Sequence, residues 1–456
     1  MDNSAGGGGY LQLSIEKLIY GGDGLARIPA GPDGRSMAVF VPFVLPGEQV
    51  EAEVRQEKPG FARGTVTRMV AASSERVEAP CAYFQQCGGC HYQHIPYERQ
   101  LEFKTQILRE TFERVGKIAL KNEIRVHSSQ PWNYRNRTRL QVRTALETLP
   151  QNGKSSEDSG FALGFNRFGS REFLAVHECP ISSPLINHAI VRLTELGGLN
   201  CPATIEELEL FADASDGYLL GWAFCQNSAH EKVLLHWAEA VQHELPNLIG
   251  LHFFSSRRRS EDEAQPDLKS LAQSGAKAIR YRTSVGEYQV SAAAFFQVNR
   301  HLVDELVSVV TGSAGGDVAL DLYAGVGLFS VSLARTFHHI FAVESSQTSC
   351  YDLRQNVPAS VKAVGTRTED YLRCGAVRKG PDFVVLDPPR SGTGKAVTRS
   401  LIELGAQRIC YVSCDPATLA RDVASLVAGG YRIEEAHLFD LFPQTFHIES
   451  VIRLAR

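Results

Sequence analysis

Apolar and polar residues trade places at every second position near the start of the chain. Leu11-Gln12-Leu13-Ser14-Ile15, Met37-Ala38-Val39-Phe40-Val41 and Gln49-Val50-Glu51-Ala52-Glu53-Val54 have the period of half-buried strands. Gly21-Gly22-Asp23-Gly24 and Pro46-Gly47-Glu48 supply turns between them. The pattern predicts a small β-barrel of OB-like size over 9–72. The period then changes. Leu101, Ile107, Leu108, Phe112 and Val115 share a helical face, which predicts a helix over 97–115. A second β-rich stretch opens at Trp132, and 73–288 reads as a central domain whose helix is able to pack on the domain that follows. From about Ser291 apolar strands alternate with helices, with strands at 317–322, 339–343, 382–386 and 408–413 and a last β region over 432–454. That order predicts an α/β fold with a doubly wound, Rossmann-like sheet over 289–456. Residues 1–8 read as a Gly-rich tail, 147–160 as an exposed hairpin tip and 256–276 as a mobile insertion.

Composition narrows the class. With 43% hydrophobic and 21% charged residues, 456 residues can bury several cores. A net charge of −4 excludes a generally basic coat, so a nucleic-acid partner must be held by local patches. No apolar run approaches transmembrane length, and MDNSAGGGGY lacks a signal-peptide core. The expectation is a cytoplasmic monomer with no membrane partner. Its ten cysteines are then metal ligands, nucleophile or core rather than disulfides.

Four groups of residues carry candidate chemistry. Ile409-Cys410-Tyr411-Val412 is a buried parallel strand by its composition. Asp415 reads as the N-cap and Pro416 as the first residue of a helix spanning 417–427. Cys414 therefore sits at a strand's carboxyl end, before a helix N-terminus. Such sheets place ligands there, and the helix end favours thiolate over thiol. The competing reading makes Cys414 one more buried small hydrophobe. Asp321-Leu322-Tyr323-Ala324-Gly325-Val326-Gly327 joins a strand to a helix, and Glu344 ends the next strand, where it can hold ribose hydroxyls. Ser330 replaces the third glycine of a dinucleotide fingerprint, which favours S-adenosylmethionine over NAD. Asp387-Pro388-Pro389-Arg390 adds a second motif at the same edge; its arginine disfavours exocyclic amine chemistry. Cys81, Cys87 and Cys90, with Gly88-Gly89 between them, suit one metal centre, with Cys179 as the candidate fourth ligand. Spacing leaves zinc and [4Fe–4S] both open. Arg135, Arg137, Arg139 and Arg143 fall on alternate positions, which on a strand is either a phosphate-and-base surface or a solvated face.

Ile19-Tyr20-Gly21-Gly22-Asp23-Gly24-Leu25-Ala26 with Val44-Leu45-Pro46-Gly47-Glu48 resembles the TRAM domain of RNA-modifying enzymes. Phe295-Phe296-Gln297-Val298-Asn299, Asp321 to Gly327, Asp387 to Arg390, Ser413-Cys414-Asp415-Pro416 and His447-Ile448-Glu449 resemble the RNA 5-methyluridine methyltransferase family. The likeness spans nearly the whole chain. It implies methylation of uridine C5 through a Cys–C6 uracil adduct, with Cys414 as nucleophile and Glu449 as base. His447 is a rival base. It also implies S-adenosylmethionine bound by Gln297, Tyr323, Glu344 and Asp387, and a [4Fe–4S] cluster on Cys81, Cys87, Cys90 and Cys179. Leu328 departs from a common asparagine, so no cofactor hydrogen bond is expected from it. The barrel and the cluster resemble the ribosomal RNA enzymes of the family, so 23S-type rRNA is the expected partner. The same chemistry on the tRNA T-loop uridine, methylation at another nucleobase position, and a non-catalytic iron–sulfur RNA-binding protein are the alternatives.

Overall fold

The computed structural model describes residues 10–28, 36–144, 160–255, 268–312, 314–375 and 380–456. The Gly-rich tail, the hairpin tip up to residue 159 and the start of the expected insertion lie outside the described residues.

The alternating N-terminal segments form a six-stranded sheet in the order Tyr10–Ser14, Gln49–Lys58, Phe61–Ala71, Met37–Pro42, Asp23–Ile28, Lys17–Leu18. Its inward positions are the ones the pattern marks: Leu13, Ile15, Val39, Val41, Val50 and Ala52 form the barrel core.

A seven-stranded sheet follows in the middle of the chain. One face carries Leu140, Leu208, Leu210, Leu251 and Phe253, covered by the helices Pro184–Glu195 and Glu231–Glu244. Its edge strand, Ser270–Gly275, pairs antiparallel with Leu248–Ser255. The expectation of a mobile insertion over 256–276 is therefore corrected for these residues. The polar composition of Ser270–Gly275 suits an edge strand, which needs only one buried face.

The third sheet has eight strands in the order Val361–Gly365, Phe337–Glu344, Gly316–Leu322, Phe383–Leu386, Arg408–Ser413, Glu449–Ala455, Arg432–Phe439, Ile124–His127. The first five run parallel, and Glu449–Ala455 is antiparallel to both neighbours. Strand order reverses between Gly316–Leu322 and Phe383–Leu386, so a crevice opens at their carboxyl ends.

Two stretches of the middle region join this domain. Ile124–His127 is its edge strand. The helix Tyr97–Thr111, prolonged by a π turn over Phe112–Gly116, buries Phe103, Ile107, Leu108 and Phe112 in the same core as Leu419, Val423 and Ile452. Gly116 permits the approach, because a Cβ there would stand 2.9 Å from the Ala420 carbonyl oxygen. Leu18 and Leu45 of the barrel enter that core too. No helix among the described residues is long and apolar enough to cross a membrane.

Candidate active site

The crevice is built first by its turns. Tyr323, Gly325 and Gly327 all take positive φ (65°, 56° and 94°), which lets the chain double back between Gly316–Leu322 and the helix Leu328–Leu333. A Cβ on Gly327 would strike Leu353 Cδ1 at 2.7 Å, whereas one on Gly325 would meet nothing within 4 Å. The backbone at Gly325 thus faces open space. Glu344 secures this turn: its carboxylate accepts from the Gly325 N–H at 2.8 Å and the Ser346 N–H at 2.6 Å. Asp321 is buried beneath and accepts from the Ser330 hydroxyl. Across the crevice Gln297 Nε2 donates to Asp387 Oδ2 at 3.4 Å. Tyr323, Glu344 and Asp387 stand at or just past the ends of adjacent parallel strands, and Gln297 reaches Asp387 from the start of the domain. Glu344 meets the glycine turn at Gly325, whereas the Tyr323 hydroxyl turns to Thr368. Leu328 is buried, and its carbonyl accepts from Tyr288.

Burial pushes the Asp321 carboxyl up to about 7, with Glu344 adding to the rise against the Ser330 hydrogen bonds. Burial and the charge of Asp321 likewise push Asp387 up to about 7. The two carboxyls raise each other because both are withdrawn from water and each feels the other's charge.

Cys414 lies immediately beyond the strand Arg408–Ser413. Asp415 caps the helix Pro416–Ala428, accepting from the Ala417 and Thr418 N–H groups at 3.0 and 2.8 Å. The antiparallel register pairs Ser413 with Ser450. Continued by one residue, it sets Cys414 opposite Glu449, the first residue of the last strand. Electrostatics agree with this proximity. Burial pushes the Cys414 thiol up to about 12, Glu449 and Asp387 add to the rise, and Arg390 opposes it. Desolvation and the two neighbouring carboxyls oppose the thiolate that the helix N-terminus favours. Burial also raises Glu449 well above the carboxylate range, with Asp387 adding and Arg390 opposing. His447 behaves oppositely. Burial, then Arg390, push it down to about 3, so it is neutral and a weak proton acceptor.

Arg390, read in the sequence only as disfavouring exocyclic amine chemistry, has a further effect in the fold. It is exposed, and its charge acts on Cys414, Glu449 and His447 together. Its place at the end of Asp387-Pro388-Pro389-Arg390 was the available signal.

The cysteines converge beside Tyr134 and Ile181, and His91, next to Cys90, meets the loop that leads to Glu449. The charge of Cys179 acts on Cys81, Cys87 and Cys90, so the loop carrying Cys179 meets the one carrying the other three. The donor set is all sulfur, and all four are free thiols. Among the described residues no group of three such side chains stands in metal-holding geometry. The arginine row is largely consumed within the protein. Arg137 is buried with its guanidinium 4.5 Å from the Phe211 ring and 5.0 Å from Trp222. Arg139 pairs with Glu209 at 2.8 Å and Glu207 at 3.3 Å, and Arg135 Nε donates to the Arg137 carbonyl. A free phosphate-binding row is not what these residues form.

Comparison with known proteins agrees with the architecture. Residues 267–367 and 379–456 match the family described as tRNA (uracil-5-)-methyltransferase, and residues 8–67 match the TRAM domain. The chain is 33% identical to a 23S rRNA (uracil(1939)-C(5))-methyltransferase of Chromohalobacter salexigens, covering 97% of this chain and 89% of the relative. It is 32% identical to the enzyme of that description from Halomonas elongata, covering 100% and 91%. Among solved structures, a Pyrococcus abyssi tRNA (uracil-54, C5)-methyltransferase superposes with a TM-score of 0.71 at 24% identity, covering 98% of this chain and 100% of that one. That likeness shows the fold. The identity to whole-length relatives shows more: the chain belongs to the RNA uracil-C5 methyltransferase family.

Proposed function

We propose that the chain methylates C5 of a uridine in large-subunit ribosomal RNA, with Cys414 as nucleophile and Glu449 as base. The observation that carries this reading is the pairing of Ser413 with Ser450, which, continued by one residue, sets Cys414 opposite Glu449 at the carboxyl edge of the sheet. S-Adenosylmethionine, when bound, supplies a methyl carbon made electrophilic by its sulfonium. Glu344 would accept from the ribose while keeping its two backbone bonds, since each oxygen has a further lone pair. Gln297, Asp387 and Tyr323 would complete its binding site.

C5 of uracil is too weak a nucleophile to take a methyl group unaided. The Cys414 sulfur adds its electron pair to C6, and the ring becomes an enolate with carbanion character at C5. C5 would then take the methyl group as the methyl–sulfonium bond breaks, its electron pair staying on the donor sulfur. Glu449 removes the proton left on C5, the electron pair restores the C5–C6 double bond, and the Cys414 sulfur leaves as thiolate. The raised carboxyl of Glu449 suits a base that must take a proton from carbon. Cys414 must lose its own proton before attack, and Arg390 lowers that cost. The target must leave any base stack to reach a thiol at the bottom of a crevice.

Both named relatives at 33% and 32% identity are described as acting on 23S rRNA, which supports a ribosomal target. The solved tRNA enzyme shares the fold, which keeps the T-loop uridine as second reading. Mass mapping of 5-methyluridine in rRNA and tRNA from a deletion strain decides. Loss from large-subunit rRNA is expected; loss confined to tRNA moves the target, and no loss in either leaves an RNA-binding protein without this activity.

Cys81, Cys87, Cys90 and Cys179 would hold a [4Fe–4S] cluster. The all-thiol donor set and the convergence of its two loops support this assignment. Its role would be structural or RNA-positioning, because the methyl transfer moves no electron. Iron and sulfide analysis of anaerobically purified protein tests it, and stoichiometric zinc without iron would refute it.

A further inference from the structure

The barrel reaches the site. Tyr20 lies in its tight turn between the strands Lys17–Leu18 and Asp23–Ile28, and its hydroxyl donates to the carbonyl of Cys414 at 3.2 Å. That carbonyl stands past the end of the ladder, whose last pair is Ser413 with Ser450. The Tyr20 ring packs edge-on against Phe446 at 5.6 Å. Phe446 belongs to the loop that leads into Glu449. One side chain thus touches both loops of the candidate catalytic pair.

The turn is shaped for this. Gly21 and Gly22 have φ of 109° and 93°, so the chain doubles back after Tyr20 and leaves its side chain projecting. A Cβ on Gly22 would stand 3.0 Å from the His91 ring. His91 in turn meets Phe446 at 4.7 Å, and its N–H donates to the Gln444 carbonyl in the same loop. Burial and the neighbouring charge of Asp415 raise the Tyr20 hydroxyl above its ordinary range, which keeps it a proton donor at neutral pH.

We propose that Tyr20 is a positioning residue for the methylation: the barrel, by docking its turn, fixes the spacing between Cys414 and Glu449. This rests on the assignment of those two residues as nucleophile and base.

The test uses full-length protein and total RNA from a deletion strain grown with 5-fluorouracil. Fluorine at C5 cannot leave as a proton, so the ring stays bonded to the attacking sulfur. Adduct is measured by denaturing electrophoresis against RNA concentration, with rates expressed per S-adenosylmethionine-binding site so that unfolded protein is not counted. Tyr20→Phe keeps the ring and removes the hydroxyl. It should half-saturate at the wild-type RNA concentration yet form adduct roughly tenfold more slowly at saturation, as loss of one hydrogen bond predicts. Tyr20→Ala should be slower still. A wild-type saturating rate in Tyr20→Phe would show the bond to be idle. A shift in half-saturation with the saturating rate retained would make Tyr20 an RNA contact, and either result overturns the proposal. If wild type forms no adduct, or Cys414→Ala forms it, the nucleophile assignment fails and this proposal fails with it; an unchanged Tyr20→Phe beside a normal wild type sinks Tyr20 alone.

Discussion

Desolvation raises both the Cys414 thiol and the Glu449 carboxyl, and in the proposed mechanism the two would act at different steps. Each residue should therefore fail at its own step. Cys414→Ala should abolish turnover and leave no covalent complex. Glu449→Gln should still add and methylate, then stall, so that methylated RNA remains bonded to protein on a denaturing gel; wild-type turnover would reassign the base. Asp321 offers a pH test. Its carboxyl stands near 7 when folded against 3.8 otherwise, so the folded chain keeps a proton that the unfolded chain has released. The stability this contributes is complete below pH 3.8 and is lost as pH rises through 7. Asp321→Asn carries no charge, and should flatten the fall in ligand-free stability between about pH 5 and about pH 8, by on the order of 2–4 kcal/mol. Urea denaturation of both proteins across that range checks the sign; an equal fall in both would place the penalty elsewhere. Cys414 and Glu449 stood out in the sequence because each sits in a motif whose residue types the proposed chemistry would demand, and the sheet sets the two motifs side by side. The reach of the Arg390 charge did not, because an arginine that ends a motif says nothing of which charges it will face once folded.

Element ends do the positioning, and two of them can be probed. Glu344 closes the strand Phe337–Glu344 and also braces the glycine turn through the Gly325 and Ser346 N–H groups. Glu344→Ala should therefore weaken S-adenosylmethionine binding by about 1.5–3 kcal/mol for the lost charged acceptor, and lower stability as well. Calorimetric titration with thermal melts separates the two effects; unchanged binding would show that the ribose lies elsewhere. Asp415→Ala removes the acceptor for two N–H groups at the helix start, and should cost about 1 kcal/mol of stability. Urea denaturation measures this, and no loss would mean that water caps the helix equally well. The strand Arg408–Ser413 and the Asp415 cap were readable because a short apolar run followed by Asp-Pro has few other solutions. The antiparallel direction of Glu449–Ala455 was not, since direction depends on where the previous strand ends in space. That direction is what brings Glu449 to Cys414. The arginine row shows the converse limit. Strand period put Arg137 and Arg139 on one face, but aromatic rings and carboxylates of neighbouring strands decide whether such a face stays open to RNA.

Separate sheets act as one molecule only if their packing is tied together, and one buried pair spans two of the sequence regions. Lys104, on the helix Tyr97–Thr111, donates to Asp440 Oδ1 at 2.6 Å and to the Phe442 carbonyl at 3.0 Å. Both charged side chains are fully buried. Asp440 opens the loop that runs through Phe446 to Glu449, so the helix holds the approach to the candidate base. Gln100 supports the same loop, donating to Gln444 Oε1 at 2.9 Å and accepting from the Gln444 N–H at 3.0 Å. The helix was expected from its apolar face. Its attachment to a loop more than 300 residues away was not, because a lysine at that period reads as solvated until the facing carboxylate is known. Desolvation opposes the charged Lys104, and Asp440 opposes desolvation. Removing one partner leaves the other charge buried alone, so Lys104→Met should destabilise the protein by about 3–5 kcal/mol. Lys104→Met combined with Asp440→Leu removes both charges and should recover most of that loss. Methylation tells the rest. If the pair aligns the loop, the double variant folds but methylates more slowly than wild type at saturating RNA. If the pair serves stability alone, it folds and turns over normally. A double variant no more stable than Lys104→Met would show instead that the volume and shape of the pair, not its charge, hold the helix to the loop.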